Sequence, residues 1–227
     1  MTLFYHTRES IMIKAVLFDL DGTLADTAPD LGGALNTLLA KRGLPPKDMA
    51  DIRAVASHGA AGLLALGAGI SRGDEGFDEW RAAYLAEYEA CFDRDTVLFP
   101  QISELLAALA RKGIVWGIVT NKPAAFTDRL VPKLGFAAPP AVVVSGDTCA
   151  EAKPSVVPML YACGQLGVAP QECLYVGDAQ RDMQAGRDAG MKTVLALWGY
   201  IAAGDRTEEW PADFAVSCPS DIEALLG

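Results

Sequence analysis

Short apolar runs rich in β-branched residues alternate with longer stretches of helical periodicity along most of this chain. The first run, Ile13 to Phe18, reads as a buried strand ended by an acidic turn, Asp19 to Thr23. Ile114 to Val119 repeats the pattern and stops at Thr120-Asn121. Pro123 then opens a helical stretch to Leu134, closed by Gly135. Ala141 to Val144, Cys173 to Val176 and Thr193 to Leu197 are read as further strands, with Phe214 to Val216 as a sixth. Helices over Pro154 to Leu166 and Gln180 to Ala189 separate them, closed by Gly167 and Gly190. Ser220, with Glu223 three residues on, reads as a capping box for a last helix.

Alternating strands and helices predict an α/β fold, a Rossmann-like parallel sheet with helices on both faces. From Asp26 to Phe99 the pattern changes to helical periodicity alone, over Leu31 to Lys41, Met49 to Val55, Ala60 to Leu66 and Phe77 to Phe92. The simplest organisation is a core of residues 12–25 and 100–227, a helical cap of residues 26–99 inserted after the first strand, and an N-terminal extension of residues 1–11. Pro100 restarts the core with a helix ending at Lys112-Gly113.

Composition narrows the class. The chain has 227 residues, 51% hydrophobic and 21% charged, enough to fill one large core with an insertion. A formal net charge of −10 repels a nucleic-acid backbone and tolerates a bound cation. Cys91, Cys149, Cys163, Cys173 and Cys218 show no C-x-x-C spacing, which argues against a disulfide framework or zinc site and for the cytoplasm. No apolar run reaches membrane-helix length, and Met1 to Ser10 lacks a signal-peptide core. A monomer or homodimer without nucleic-acid or membrane partners is expected.

Candidate chemistry sits at four strand ends, where parallel sheets bind ligands. These are Asp19-Leu20-Asp21-Gly22-Thr23, Thr120-Asn121-Lys122, Lys153-Pro154, and Gly177-Asp178 with Asp182 four residues later. Asp19 and Asp21, two apart, point the same way along a continuing strand and raise each other's proton affinity unless a cation lies between them. With Asp178 and Asp182 they form a hard-oxygen cluster suited to Mg²⁺. Lys153 and Thr120 offer charge and a donor to a phosphate, and Gly22 allows the amides near Thr23 to face phosphate oxygens. Gly59, Gly62, Gly67 and Gly69 lack nucleotide-loop spacing and are read as helix-packing and turn residues.

At these residues, and above all at Val16-Leu17-Phe18-Asp19-Leu20-Asp21-Gly22-Thr23-Leu24, the chain resembles the haloacid dehalogenase superfamily in its phosphatase branch. Asp26 to Leu31, Thr120 to Pro123 and Ser145 to Thr148 resemble phosphoglycolate phosphatases; Trp116 to Pro123 and the tail from Gly199 to Asp213 resemble an N-acetylmuramate 6-phosphate phosphatase. Val156 and Gln101 depart from common family residues, a proline and a glycine. The resemblance implies hydrolysis of a small phosphorylated metabolite, 2-phosphoglycolate first and N-acetylmuramate 6-phosphate second, with a sugar-phosphate mutase as an alternative. It implies that Asp19 is the nucleophile and Asp21 the acid and base, and that Asp19, the Asp21 carbonyl and Asp178 hold Mg²⁺. Thr120 and Asn121 then bind phosphoryl oxygens, Lys153 neutralises charge, and Asp182 orients Lys153 or a metal-bound water. Presence of Asp21 argues against a dehalogenase. Arg53, Ser57, His58 and Gly59 are expected to choose the substrate from the cap.

Overall fold

The computed structural model describes residues 12–226, so the expected N-terminal extension lies outside the described residues. Its centre is β1 (Ala15–Phe18), four residues with no solvent exposure. A strand covered on both faces carries apolar side chains at every position, which is why its sequence is a continuous run and does not alternate. β1 is followed by the two-residue strand β2 (Ala25–Asp26) and four helices, α1 (Ala28–Lys41), α2 (Met49–Ala56), α3 (Gly59–Ala68) and α4 (Phe77–Glu89). The chain then returns through β3 (Val97–Leu98), α5 (Ile102–Arg111), β4 (Val115–Val119), α6 (Ala124–Leu130) and β5 (Val143–Val144). It closes with α7 (Val157–Leu166), β6 (Cys173–Gly177), α8 (Gln180–Asp188), β7 (Lys192–Ala196) and β8 (Phe214–Val216).

Six strands form one parallel sheet in the order β5-β4-β1-β6-β7-β8. Ala15 sits opposite Val115 on one side and Cys173 on the other, so β1, β4 and β6 end at a common level. The chain moves outward from β1 through β4 to β5, then crosses back to β6 and moves out the other way. That reversal opens a crevice at the carboxyl ends of β1, β4 and β6, where Asp19, Thr120 and Asp178 follow directly.

The helices α1 to α4 all lie between β2 and β3, which pair antiparallel as Ala25↔Leu98 and Asp26↔Val97. Their apolar faces pack on one another, while Ile102, Leu105 and Leu109 of α5 cover one face of the sheet and a cluster that includes Met159, Ala162 and Ala185 covers the other. The cap-region glycines are packing and turn residues as expected. A Cβ on Gly67 would lie 2.8 Å from Leu35, and Gly69 ends α3. Gln101, standing where glycine is common, adopts φ 69°, a left-handed conformation that costs a side-chain-bearing residue about 1–2 kcal/mol.

Two expectations need correction. The last helix is a 3₁₀ segment, Pro219–Leu225, and its cap is Asp221 accepting the Cys218 N–H at 3.2 Å, not Ser220 with Glu223. Pro219 at the first position supplies the helical φ, which moves the start ahead of Ser220. The helix after β5 begins at Val157 and not at Pro154, because Ala152 to Ser155 form a turn first, closed by the Ser155 N–H on the Ala152 carbonyl at 3.0 Å.

Asp30 ties the two ends of the insertion together. Buried in the first turn of α1, it accepts hydrogen bonds from the Asp95 and Thr96 amides at 3.0 Å and from the Thr96 hydroxyl at 2.7 Å. Truncation strands these donors, so Asp30→Ala is expected to cost roughly 2–4 kcal/mol, read as a lower urea midpoint with an unchanged m-value.

Candidate active site

Lys153 is the centre of the site. Its side chain is fully buried, and its ammonium contacts Asp19 Oδ1 at 3.0 Å, Asp182 Oδ1 at 2.7 Å, the Val119 carbonyl at 2.8 Å and the Tyr175 hydroxyl at 2.8 Å. A buried ammonium is tolerated only with such a complete set of acceptors. Four elements converge to provide them: the end of β1, the end of β4, β6 and the first turn of α8. Asn121 fixes the backbone at this point, because its side chain donates to the Lys153 carbonyl at 2.9 Å and accepts from the Lys153 amide at 3.0 Å.

The carboxylates are equally constrained. Asp19 is buried and accepts its neighbour's amide, Leu20 N–H, at 2.7 Å. Burial foremost raises its proton affinity, Lys153 opposes this, and Asp182 adds to it. Asp182 divides its oxygens between Lys153 and the Ala179 amide, 3.0 Å away, so it also caps α8. Asp178 uses Oδ2 to accept the Ser57 hydroxyl at 2.6 Å and the Tyr200 amide at 2.8 Å. Its Oδ1 is buried and has no hydrogen-bond partner among the described residues. Burial first, then the charges of Asp182 and Asp19, push Asp178 up to about 7.

Oxygens of Asp19, Asp178 and Asp182 lie within 4.8 Å of one another. An orphaned buried carboxylate oxygen beside two further carboxylates is a donor set that fits a hard divalent cation. Gly22 makes room for it. This glycine holds φ 82°, and a Cβ there would lie 2.2 Å from Asp178 Oδ2. The expectation that the amides near Thr23 face a ligand is corrected, since Gly22 N–H is bonded to Ala25 O at 3.0 Å and Thr23 N–H to Leu20 O at 3.3 Å. Those amides close the turn.

Asp21 is positioned by residues the sequence reading passed over. The Lys122 ammonium lies 3.0 Å from Asp21 Oδ1 and donates to the Tyr88 hydroxyl, on α4, at 2.7 Å. The charge facing Asp21 is therefore an ammonium, where carboxylate neighbours were expected. Arg181, in the first turn of α8, approaches Asp19 Oδ2 at 3.9 Å, and its buried Nε has no hydrogen-bond partner among the described residues. Its place directly before Asp182, just past the end of β6, was the only local signal for it.

The site opens on a cavity of about 550 Å³ between the strand ends and α2 to α4. Asp19, Asp21, Thr120, Asn121, Lys153 and Arg181 line its floor. Asp178 and Asp182 do not line it; they stand behind Asp19 and Lys153. Of the four cap residues expected to choose substrate, His58 and Gly59 line the cavity, with burial and then Arg181 lowering the proton affinity of His58. Ser57 lines it while holding Asp178. Arg53 is displaced from this role: it grips Asp26 with two bonds, 3.0 and 2.6 Å, and lies over the Tyr200 ring.

The model of the haloacid dehalogenase-like hydrolases matches residues 16–196, which runs from β1 to β7 and includes Asp19, Asp21, Lys153, Asp178 and Asp182. The chain belongs to that family. This hydrolase is 42% identical to a phosphoglycolate phosphatase of Xanthomonas campestris over 92% of its own length and 94% of the relative's. It is 40% identical to an N-acetylmuramic acid 6-phosphate phosphatase of Pseudomonas aeruginosa, over 94% and 95%. The hydrolase also superposes on the crystal structure of a predicted phosphoglycolate phosphatase from Haemophilus somnus with a TM-score of 0.82, at 26% identity, covering 95% of this chain and 98% of that one. No helix among the described residues is long and apolar enough to cross a membrane.

The state of Asp178 carries a testable sign. Its folded value near 7 against an ordinary 3.8 means that, without a cation, ionising it costs stability as pH rises between those values. In chelator, Asp178→Asn should therefore gain thermal stability relative to the unsubstituted hydrolase as pH is raised from about 4 to about 7. Divalent cation should raise the melting temperature of the unsubstituted protein and raise that of Asp178→Asn far less.

Proposed function

We propose that this hydrolase is a Mg²⁺-dependent phosphomonoesterase that transfers the phosphoryl group of a small metabolite to Asp19 and then to water. The observation that carries the reading is the Lys153 ammonium set between Asp19 and Asp182 on the floor of the cavity. A carboxylate nucleophile and a phosphate dianion repel, and attack needs fixed positive charge at the point of contact. Lys153 and Arg181 supply it from the protein. Asp19, the Asp21 carbonyl and Asp178 would hold Mg²⁺, which when bound screens that same repulsion.

In the first step an Asp19 oxygen forms a bond to phosphorus as the ester P–O bond breaks, and Asp21 delivers its proton to the leaving alkoxide. In the second, water attacks phosphorus, Asp21 takes the water's proton, and the Asp19–phosphorus bond breaks to release phosphate. Lys122 holds the Asp21 carboxylate in one orientation for both transfers. Thr120 lines the floor as a phosphoryl donor. Asn121 serves by fixing the Lys153 backbone, since its amide already has that partner. Residues 26–99 act as a cap that closes over the substrate, with β2 and β3 as its two connections.

Two substrates are supported. The motif resemblance and the Xanthomonas relative favour 2-phosphoglycolate. The second reading, N-acetylmuramate 6-phosphate, is supported by the Pseudomonas relative and by the cavity, whose roughly 550 Å³ matches pockets for ligands much larger than a two-carbon ester. A cytoplasmic location is supported by five cysteines that are all free.

Free phosphate should appear from a panel of metabolite esters only when Mg²⁺ is present. Asp19→Asn should lower kcat by roughly 10³-fold or more with an unchanged circular dichroism spectrum. Appreciable turnover by that variant would refute the covalent route, and isomerised ester without free phosphate would identify a mutase.

A further inference from the structure

The cavity runs away from the reacting end along one face of α4. Phe77, Arg81, Tyr84, Leu85 and Tyr88 all line it and recur at intervals of one, three or four residues, which keeps them on one helical face. Tyr88 marks the near end, because its hydroxyl is 2.7 Å from Lys122 Nζ, which is 3.0 Å from Asp21. Arg81 lies seven residues earlier on the helix, roughly 10 Å back along the axis at 1.5 Å per residue. Helical side chains lean further toward the N-terminus, which carries its guanidinium away from Tyr88. Arg72, on the loop between α3 and α4, lines the same cavity.

Among the described residues neither arginine has a carboxylate partner. Arg42, Arg53, Arg94, Arg129, Arg181 and Arg206 each have one; Arg111 and Arg187 also lack one but do not line the cavity. The carboxylates that line the cavity are Asp19 and Asp21, both at the reacting end. In a chain of net charge −10, two unpaired guanidinium groups on a wall without acids form a local attraction for a second anion. Between the two ends the half-buried Leu85 and the rim of the buried Tyr84 line the cavity and give an apolar surface for a ring.

We propose that Arg72 and Arg81 determine specificity by binding a carboxylate of the substrate that stands about one hexose ring away from the transferred phosphoryl group. The planar guanidinium fork matches a carboxylate with two parallel hydrogen bonds. In a two-carbon acid phosphate the carboxylate is attached one carbon from the ester oxygen, too close to span this wall. The proposal rests on the phosphomonoesterase reading and selects the larger, acid-bearing substrate class within it.

The test is a binding titration of Asp19→Asn with Mg²⁺, so that its outcome does not depend on turnover. The two probes are N-acetylmuramate 6-phosphate and N-acetylglucosamine 6-phosphate, which share a ring and a phosphate and differ in the lactyl ether that carries the carboxylate. The acid-bearing ester should bind about tenfold or more tightly, and adding R72A/R81A should erase most of that preference. Both arginines are exposed, so the variants should keep the melting temperature of the parent. Equal binding of the two esters by Asp19→Asn, or a preference that survives R72A/R81A, would overturn the proposal. Phosphate release by the unsubstituted protein reports separately on the phosphomonoesterase reading.

Discussion

The arrangement depends on one buried cation. The Lys153 ammonium, without solvent exposure, sits between the carboxylates of Asp19 and Asp182 while bonding a carbonyl from β4 and a phenol from β6. Each of these partners alone would be costly to bury. Together they neutralise one another and pin the ends of three strands and the start of a helix to a single point. The fold brings the charges together, and the charges in turn hold the strand ends in register.

That balance is incomplete by design of the sequence. Asp178, behind the pair, keeps one buried oxygen without a partner among the described residues, and its raised proton affinity records its burial first and then the charges of Asp182 and Asp19. An acidic cluster with an orphaned oxygen is suited to a cation, and Lys153 and Arg181 beside Asp19 are suited to an anion. The helices inserted after β1 contribute to the same centre: Tyr88 reaches Lys122 on the cavity lining and Ser57 reaches Asp178 beyond it, so the upper wall is bonded to the strand ends.

The parallel sheet was legible because a buried parallel strand must be apolar at every position, and the chain shows such runs with helical periodicity between them. The four strand-end motifs were legible because three lie directly after their strands and Lys153-Pro154 a loop after β5, at the end of the sheet where the fold places ligands. Lys122, Tyr88 and Arg181 escaped because their roles are set by contacts across the chain, such as α4 reaching the loop after β4, which no local spacing reveals. Gly22 was found for the wrong reason: its missing side chain makes room for Asp178, 156 positions later, whereas its amide closes a turn. Asn121 was placed on the ligand by the family resemblance and Arg53 by its nearness to the turn at Ser57, and each has its side chain engaged by the protein.

The central claim is that the Asp19 carboxylate itself receives the phosphoryl group. Quenching the enzyme with borohydride during Mg²⁺-supported turnover reduces an acyl phosphate to an alcohol, and mass spectrometry of the digested protein locates the change. Homoserine at position 19 is the result expected. An unaltered Asp19 in enzyme that is releasing phosphate would contradict the account.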